Sequence, residues 1–335
     1  MKGGCVMSKK KLKIAARVLI LISILLFIKF ITTAPKSKTY KVVGDVNLKK
    51  PITKCVQVVG KTIGSTKGKD PLTPILKRRN KLLKNKYIIH ACGSYTIKGK
   101  KYKYTNSKEA LNNCVNRKVK FFEMDFKKSS DNKPVMVRLW RKLYYNNKPI
   151  TAPLTYNQYL KSKVYNKFTT LKVSEVIAVL KKNKDMYLIA DIKQDYLNML
   201  KQLSKEIEGQ GVSNRIIVQI YHENEYDQVK SIVDSKGNQV FKYMIYTLYR
   251  TTDEERKVSR LDKFLSEHPV IAVQVGNKFV DGKTDKGVRD KREDTYLREL
   301  LKMNTPIIIN TINRKSYKQR YESFGVKLFT TDTFF

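Results

Sequence analysis

Two carboxylates two residues apart, Glu123 and Asp125, interrupt an apolar and aromatic run, Phe121-Phe122-Glu123-Met124-Asp125-Phe126. In a strand, residues i and i+2 point to one face, so the two acids project together while Phe122, Met124 and Phe126 face the other side. Like charges side by side disfavour each other's ionisation, and two arrangements relieve the conflict. One is a solvated strand end among lysines; the other is a divalent cation held by oxygen ligands. The pair alone leaves both open. A third acid, Asp191, closes the apolar run 186–191 with Lys193 two residues on, and His90 closes the run 87–90. Singly, His90 reads as a core histidine, Asp191 as a helix cap and Lys193 as a surface lysine. Gathered at one opening, they would hold a cation beside a group able to move a proton.

The elements that would gather them alternate regularly. Strand-like runs fall at 87–90, 121–125, 135–140, 186–191, 216–220, 243–247, 270–275, 307–310 and 328–330. Between them lie stretches of helical period, such as Val173, Val176, Ile177 and Leu180, or Leu200, Leu203 and Ile207. Asn106 with Glu109 three residues on has capping-box spacing and predicts a helix start there. Strand and helix alternating over 87–335 without a long linker predict a parallel sheet with helical crossovers. A TIM-type (β/α)8 barrel has this size, and its strands end at one mouth, where His90, Glu123, Asp125 and Asp191 would meet. Nine candidate strands exceed eight, so 135–140, close behind its predecessor, is assigned to a hairpin. A doubly wound open sheet is the alternative; against it, only His90-Ala91-Cys92-Gly93 follows the first strand, with no Gly-rich phosphate loop. A polar, Tyr-rich insertion occupies 143–166, and its Tyr144 and Tyr145 are candidates for a rim.

Length and charge bound the partners. The chain has 335 residues, 41% of them hydrophobic, enough for one large core or two ordinary ones. Its formal charge of +40 attracts polyanions of any kind, from nucleic acid to anionic lipid or phosphate polymers. Lys9, Lys10, Lys11, Lys13 and Arg17 precede an apolar run over 18–31 broken only by Ser23 and Lys29. A basic flank before an apolar run is an export signal with its amino end in the cytoplasm. Pro35 sits badly for cleavage, so the expectation is an uncleaved anchor helix and a single-pass protein of the cell membrane; secretion after cleavage is the alternative. That location makes nucleic acid the less favoured partner. The predicted divisions are a cytoplasmic tip and anchor over 1–32, a stalk and lead-in over 33–86 with a helix over 74–83, and the barrel over 87–335. Cys55, Cys92 and Cys114 would lie outside the cytoplasm, an odd number, and a Cys92–Cys114 bridge or free buried thiols both remain open. His222 and His268 read as ordinary surface or core histidines.

Taken in order, the segments Tyr87 to Gly93, Tyr104-Thr105-Asn106-Ser107, Phe122-Glu123-Met124-Asp125, Lys133-Pro134-Val135-Met136-Val137 and Ala190-Asp191-Ile192-Lys193 resemble the glycerophosphodiester phosphodiesterase family. The tail, with Thr311-Ile312-Asn313, Phe324-Gly325-Val326 and Thr331-Asp332, is similar to that family's last two strands. The resemblance implies an eight-stranded barrel that hydrolyses glycerophosphodiesters to glycerol 3-phosphate and an alcohol. It implies Glu123, Asp125 and Asp191 as ligands of Ca²⁺ or Mg²⁺, His90 as a catalytic acid or base, and Lys193 as a cation facing the phosphate. It also exposes departures. The family's second histidine aligns with Arg138, which cannot shuttle a proton near neutral pH but can clamp a phosphate. Ala91, Thr105 and Asn310 stand where the family usually has Arg, Glu and Trp. Two functions follow: a phosphodiesterase weakened or redirected by Arg138, or an inactive barrel that binds anionic phosphodiester polymers or lipid head groups.

Overall fold

The computed structural model describes residues 72–280 and 291–334. The tip, the anchor run 18–31, most of the lead-in and Cys55 lie outside the described residues. Among those described, no helix is long and apolar enough to cross a membrane.

Eight parallel strands close into a barrel: β1 (Tyr87–Ile89), β2 (Phe121–Lys128), β3 (Tyr187–Ile192), β4 (Ile216–Ile220), β5 (Tyr243–Thr247), β6 (Ala272–Gly276), β7 (Ile307–Asn310) and β8 (Leu328–Thr331). Neighbours in the chain are neighbours in the sheet, and β1 pairs with both β8 and β2 to complete the ring. The open-sheet alternative is thereby excluded. The ninth apolar run is a hairpin partner: Pro134–Met136 lies antiparallel to β2, with Phe126 opposite Met136. Helices pack outside, among them α2 (Lys108–Asn116), α3 (Val173–Lys182) and α4 (Tyr196–Ile207), while α1 (Leu72–Asn85) precedes the first strand.

The two-residue period sorts each strand between two environments. Phe122, Met124 and Phe126 of β2, with Leu188, Ala190 and Ile192 of β3, face the helices. The alternate residues face the barrel axis in layers. Phe121, Tyr187, Ile189, Ile217, Ile245 and Ile308 form an apolar floor. Above it come Glu123, Gln219, Thr247 and Gln274, all buried, and above them the charged residues at the carboxyl ends. The register sets Asp125 beside Asp191.

The lead-in ends in structure belonging to this barrel. Helix α1 lies under the floor, with Leu82 fully buried and Ile75 beside it. Arg79 donates to the Val270 carbonyl at 2.9 and 2.7 Å and to that of Asn304 at 3.1 Å. Arg78 stacks on Tyr187 and Tyr243, 4.0 and 4.5 Å from the ring centres. The end of the barrel opposite the mouth is thus closed.

Two additions follow β1 and β2: a hairpin of Tyr95–Ile97 with Lys100–Tyr102, and the insertion, where four short strands and a helix (Tyr156–Lys161) pack around Tyr159, Leu143 and Phe168. Tyr144 and Tyr145 belong to a strand of that insertion. Cys92 and Cys114 are free, buried thiols.

Candidate active site

The turn after β1 sets His90. Ala91, Cys92 and Gly93 all take positive φ, 47°, 54° and 90°, which L side chains adopt only at some cost. A Cβ at Gly93 would come within 2.8 Å of the Phe334 ring, so both backbone and space require glycine. The turn is held from inside the barrel, where the Ala91 N–H donates to Glu123 Oε2 at 2.7 Å. His90 is left with Nδ1 2.8 Å from Asp332 Oδ1 and Nε2 3.7 Å from Glu123 Oε2. Asp332 is gripped in turn. The Asn313 amide donates to its Oδ2 at 2.7 Å, and Lys103 Nζ lies 3.2 Å from the same oxygen.

Asn106 does not open the helix, which departs from the capping-box reading. Ser107 is the cap, accepting from the Ala110 N–H at 3.2 Å, and Glu109 instead accepts from Thr169. Asn106 adopts φ 44° and turns its amide inward. It donates to Asp125 Oδ2 at 2.9 Å and accepts from the Asp125 N–H at 3.1 Å, which fixes that carboxylate.

The three acids then converge. One oxygen from each of Glu123, Asp125 and Asp191 lies within 4.8 Å of the others, and all three residues are buried. Tyr221 donates to Asp191 Oδ1 at 2.5 Å. Lys193 pairs with Asp191 Oδ2 and lies 3.2 Å from Asp125 Oδ1. Arg138 Nη1 donates to that same Asp125 oxygen at 2.8 Å. All six residues singled out from the sequence, His90, Glu123, Asp125, Arg138, Asp191 and Lys193, meet at this mouth.

Burial and neighbours split the acids. Burial, reinforced by the charge of Asp125, pushes Glu123 up to about 8. Burial would also raise Asp125, but Lys193, Arg138 and His90 outweigh it and hold it at about 2. Asp332 is likewise held at about 2, because its bond to His90 and the charges of His90 and Lys103 overcome burial. For His90, burial favours the neutral ring, yet the charge of Glu123 and the bond to Asp332 prevail and raise it above its ordinary value.

The donor set fits a hard divalent cation. All three candidate ligands are carboxylates, and Glu123 Oε1 is buried without a hydrogen-bond partner, an atom that ordinarily demands one. With all three acids ionised, as a bound cation requires, the two fixed cations leave one negative charge. A divalent ion would turn that into one positive charge, the complement of a singly charged phosphodiester.

The sequence reading missed Asp332, Asn313, Tyr221 and Asn106 as members of the site. Asp332, Asn313 and Asn106 stood in segments that carried the resemblance, but nothing local marks their partners. His222 faces Glu255 at 3.5 Å, and His268 stacks on Phe264.

No family model matches the chain, and no curated protein matches it. Solved structures do. It is similar to a glycerophosphodiester phosphodiesterase from Parabacteroides distasonis, with TM-score 0.52, 14% identity, and coverage of 74% of this chain and 92% of that one. It is similar also to a glycerophosphodiester phosphodiesterase from Thermotoga maritima, with TM-score 0.50, 12% identity, and coverage of 74% and 94%. A third is an Oleispira antarctica phosphodiesterase in complex with the product sn-glycerol-3-phosphate, with TM-score 0.52, 12% identity, and coverage of 74% and 92%. At these identities the likeness is one of fold, and the chain has the barrel fold of the glycerophosphodiester phosphodiesterase structures.

Proposed function

We propose that this protein is a metal-dependent phosphodiesterase acting on glycerophosphodiester-type substrates. The observation that carries the reading is the buried cluster of Glu123, Asp125 and Asp191 at the barrel mouth, beside His90. The three acids would hold Ca²⁺ or Mg²⁺, which when bound polarises phosphoryl oxygens and acidifies a nearby hydroxyl. Lys193 and Arg138 supply fixed positive charge where a transferring phosphoryl group gains negative charge. Asp332 engages Nδ1 of His90 and leaves Nε2 as the atom that accepts or returns a proton at an ester oxygen. The opposite proton transfer has no second histidine, since Arg138 stands in its place and stays charged. A substrate with a good leaving group needs that transfer least. The basic flank and apolar run before residue 32 support placing the barrel outside the cytoplasm on a membrane anchor.

The test is turnover by the purified full chain on glycerophosphoglycerol, glycerophosphocholine and an activated aryl phosphodiester, with Ca²⁺ or Mg²⁺ and with chelator. Hydrolysis that needs both the metal and His90, and is lost in His90→Ala, is the expected result. Turnover indifferent to both refutes it. One observation favours a second reading, a barrel that binds phosphodiesters without cleaving them: the Arg138 guanidinium occupies an oxygen of Asp125 that a cation would use. Ligand binding without turnover, together with activity gained in Arg138→His, would select that reading.

A further inference from the structure

The cations at the mouth outnumber what one phosphodiester can balance. Arg138 and Lys193 are paired with the acids of the cluster, and Lys103 with Asp332. Lys142 is not. Its ammonium lies 4.9 Å from the ring centre of Tyr104 and 5.1 Å from that of Tyr165, and its hydrogen bond is to the Lys103 carbonyl at 3.4 Å. Among the described residues, no carboxylate comes within ion-pair distance of it. Burial, then the neighbouring guanidinium of Arg141, lowers its pKa. A charge is being held where its surroundings oppose it.

Its position is built. Tyr104 stands edge-on to His90, with ring centres 4.8 Å apart, and the guanidinium carbon of Arg138 lies 5.7 Å from the same ring. The Tyr165 hydroxyl donates to the Lys103 carbonyl at 2.9 Å, and the Tyr165 N–H to the Lys142 carbonyl at 2.6 Å, tying the insertion to the first hairpin. One aromatic ring therefore separates Lys142 from the proton-transfer histidine. Two further cations share the mouth: Lys127, which follows Glu123 and Asp125 on the inward face of β2, and Arg250, 4.6 Å above the Tyr221 ring. Among the described residues these too lack a carboxylate partner. An ordinary solvated lysine lying along a tyrosine would give the same ring contact, but not the second ring, the backbone clamp and the like-charged company.

We infer that the mouth contains a second anion subsite, centred on Lys142 between Tyr104 and Tyr165, for a substrate whose scissile phosphodiester lies next to another negatively charged group. The inference rests on the phosphodiesterase reading and narrows it: a phosphate or carboxylate neighbour is drawn to this wall, and a cationic head group is repelled by it.

Calorimetric titration of the full chain with glycerol 3-phosphate and with glycerol 1,3-bisphosphate, in the presence of Mg²⁺, tests the subsite. A charge-assisted hydrogen bond to a second phosphate predicts about tenfold tighter binding of the bisphosphate. Lys142→Gln should erase that gain and leave glycerol 3-phosphate affinity and the thermal midpoint unchanged, while Lys142→Arg should keep it. Equal affinity for the two ligands, or a gain that survives Lys142→Gln, overturns the subsite alone. Failure of glycerol 3-phosphate to bind at all overturns the phosphodiesterase reading, and the subsite with it.

Discussion

Replacing Arg138 by Met should tighten cation binding while slowing turnover. In the wild-type chain the guanidinium donates to Asp125 Oδ1 at 2.8 Å, so an incoming cation must displace it or share the oxygen. A hydrogen bond between charged groups is worth about 1.5–3 kcal/mol. Asp125 is fully buried, but the arginine side chain is 36% exposed, and solvent screening trims the figure to about 1–2 kcal/mol. That corresponds to a gain in affinity of about 5- to 30-fold. Met keeps the length of the stem and removes the charge, so the wall beside Tyr104 stays covered. The assay is a calorimetric titration with Ca²⁺ and Mg²⁺, paired with kcat/KM on an aryl phosphodiester. Tighter binding with reduced kcat/KM places Arg138 both on a cation ligand and on the phosphate. Weaker or unaltered cation binding would show that Asp125 Oδ1 is no ligand, and the assignment of the centre would fall.

Glu123→Gln should abolish the rise in thermal midpoint that Mg²⁺ or Ca²⁺ gives and, above about pH 8, raise the midpoint of the metal-free protein, because there it removes a buried charge beside Asp125; a lower metal-free midpoint at that pH contradicts this. With the Glu123 carboxyl held at about 8, the metal-free site keeps a proton at pH 7, and the cation must expel it. The pKa is raised in the fold, so metal-free stability declines as pH climbs from the ordinary carboxylate range through about 8, and cation affinity declines as pH drops below it. Calorimetry at pH 7 in two buffers of different ionisation enthalpy should register the release, and identical heats would contradict it. Asn106→Ala should weaken cation binding by about 10- to 100-fold through the loss of the bonds that fix Asp125, as measured by the same titration. Leu82→Ala should cost about 2–5 kcal/mol in denaturant unfolding, since Leu82 is fully buried between α1 and the barrel floor.

What the sequence disclosed depended on how local the cause was. Runs such as 216–220 and 243–247 are apolar but for Gln219 and Thr247, because one face meets the floor and the other the helices, so they stand out without any partner being known. The closeness of 135–140 to β2 left room for nothing but a hairpin; the pairing is shorter than the run, covering Pro134–Met136, and Trp140–Lys142 forms a 3-10 turn instead. The convergence of Glu123, Asp125, Asp191 and His90 followed from the rule that barrel strands share one mouth. Partnerships across long stretches of chain were invisible. Asp332 meets His90 across 242 residues, and Arg79 reaches Val270 across 191. Asn106 misled because capping-box spacing is a local signal, whereas its left-handed backbone and inward amide answer to Asp125 on another element. The insertion's sheet includes strands of two residues, too short to print any period.

Helix α1 decides where the molecule can be cut. A fragment beginning at Tyr87 would retain every residue of the mouth and still shed the lid of its own underside, uncovering Tyr187 and Tyr243, the two rings that lie under Arg78. Such a piece would be prone to self-association whatever its chemistry. Fragments that start upstream of Leu72 keep the underside sealed.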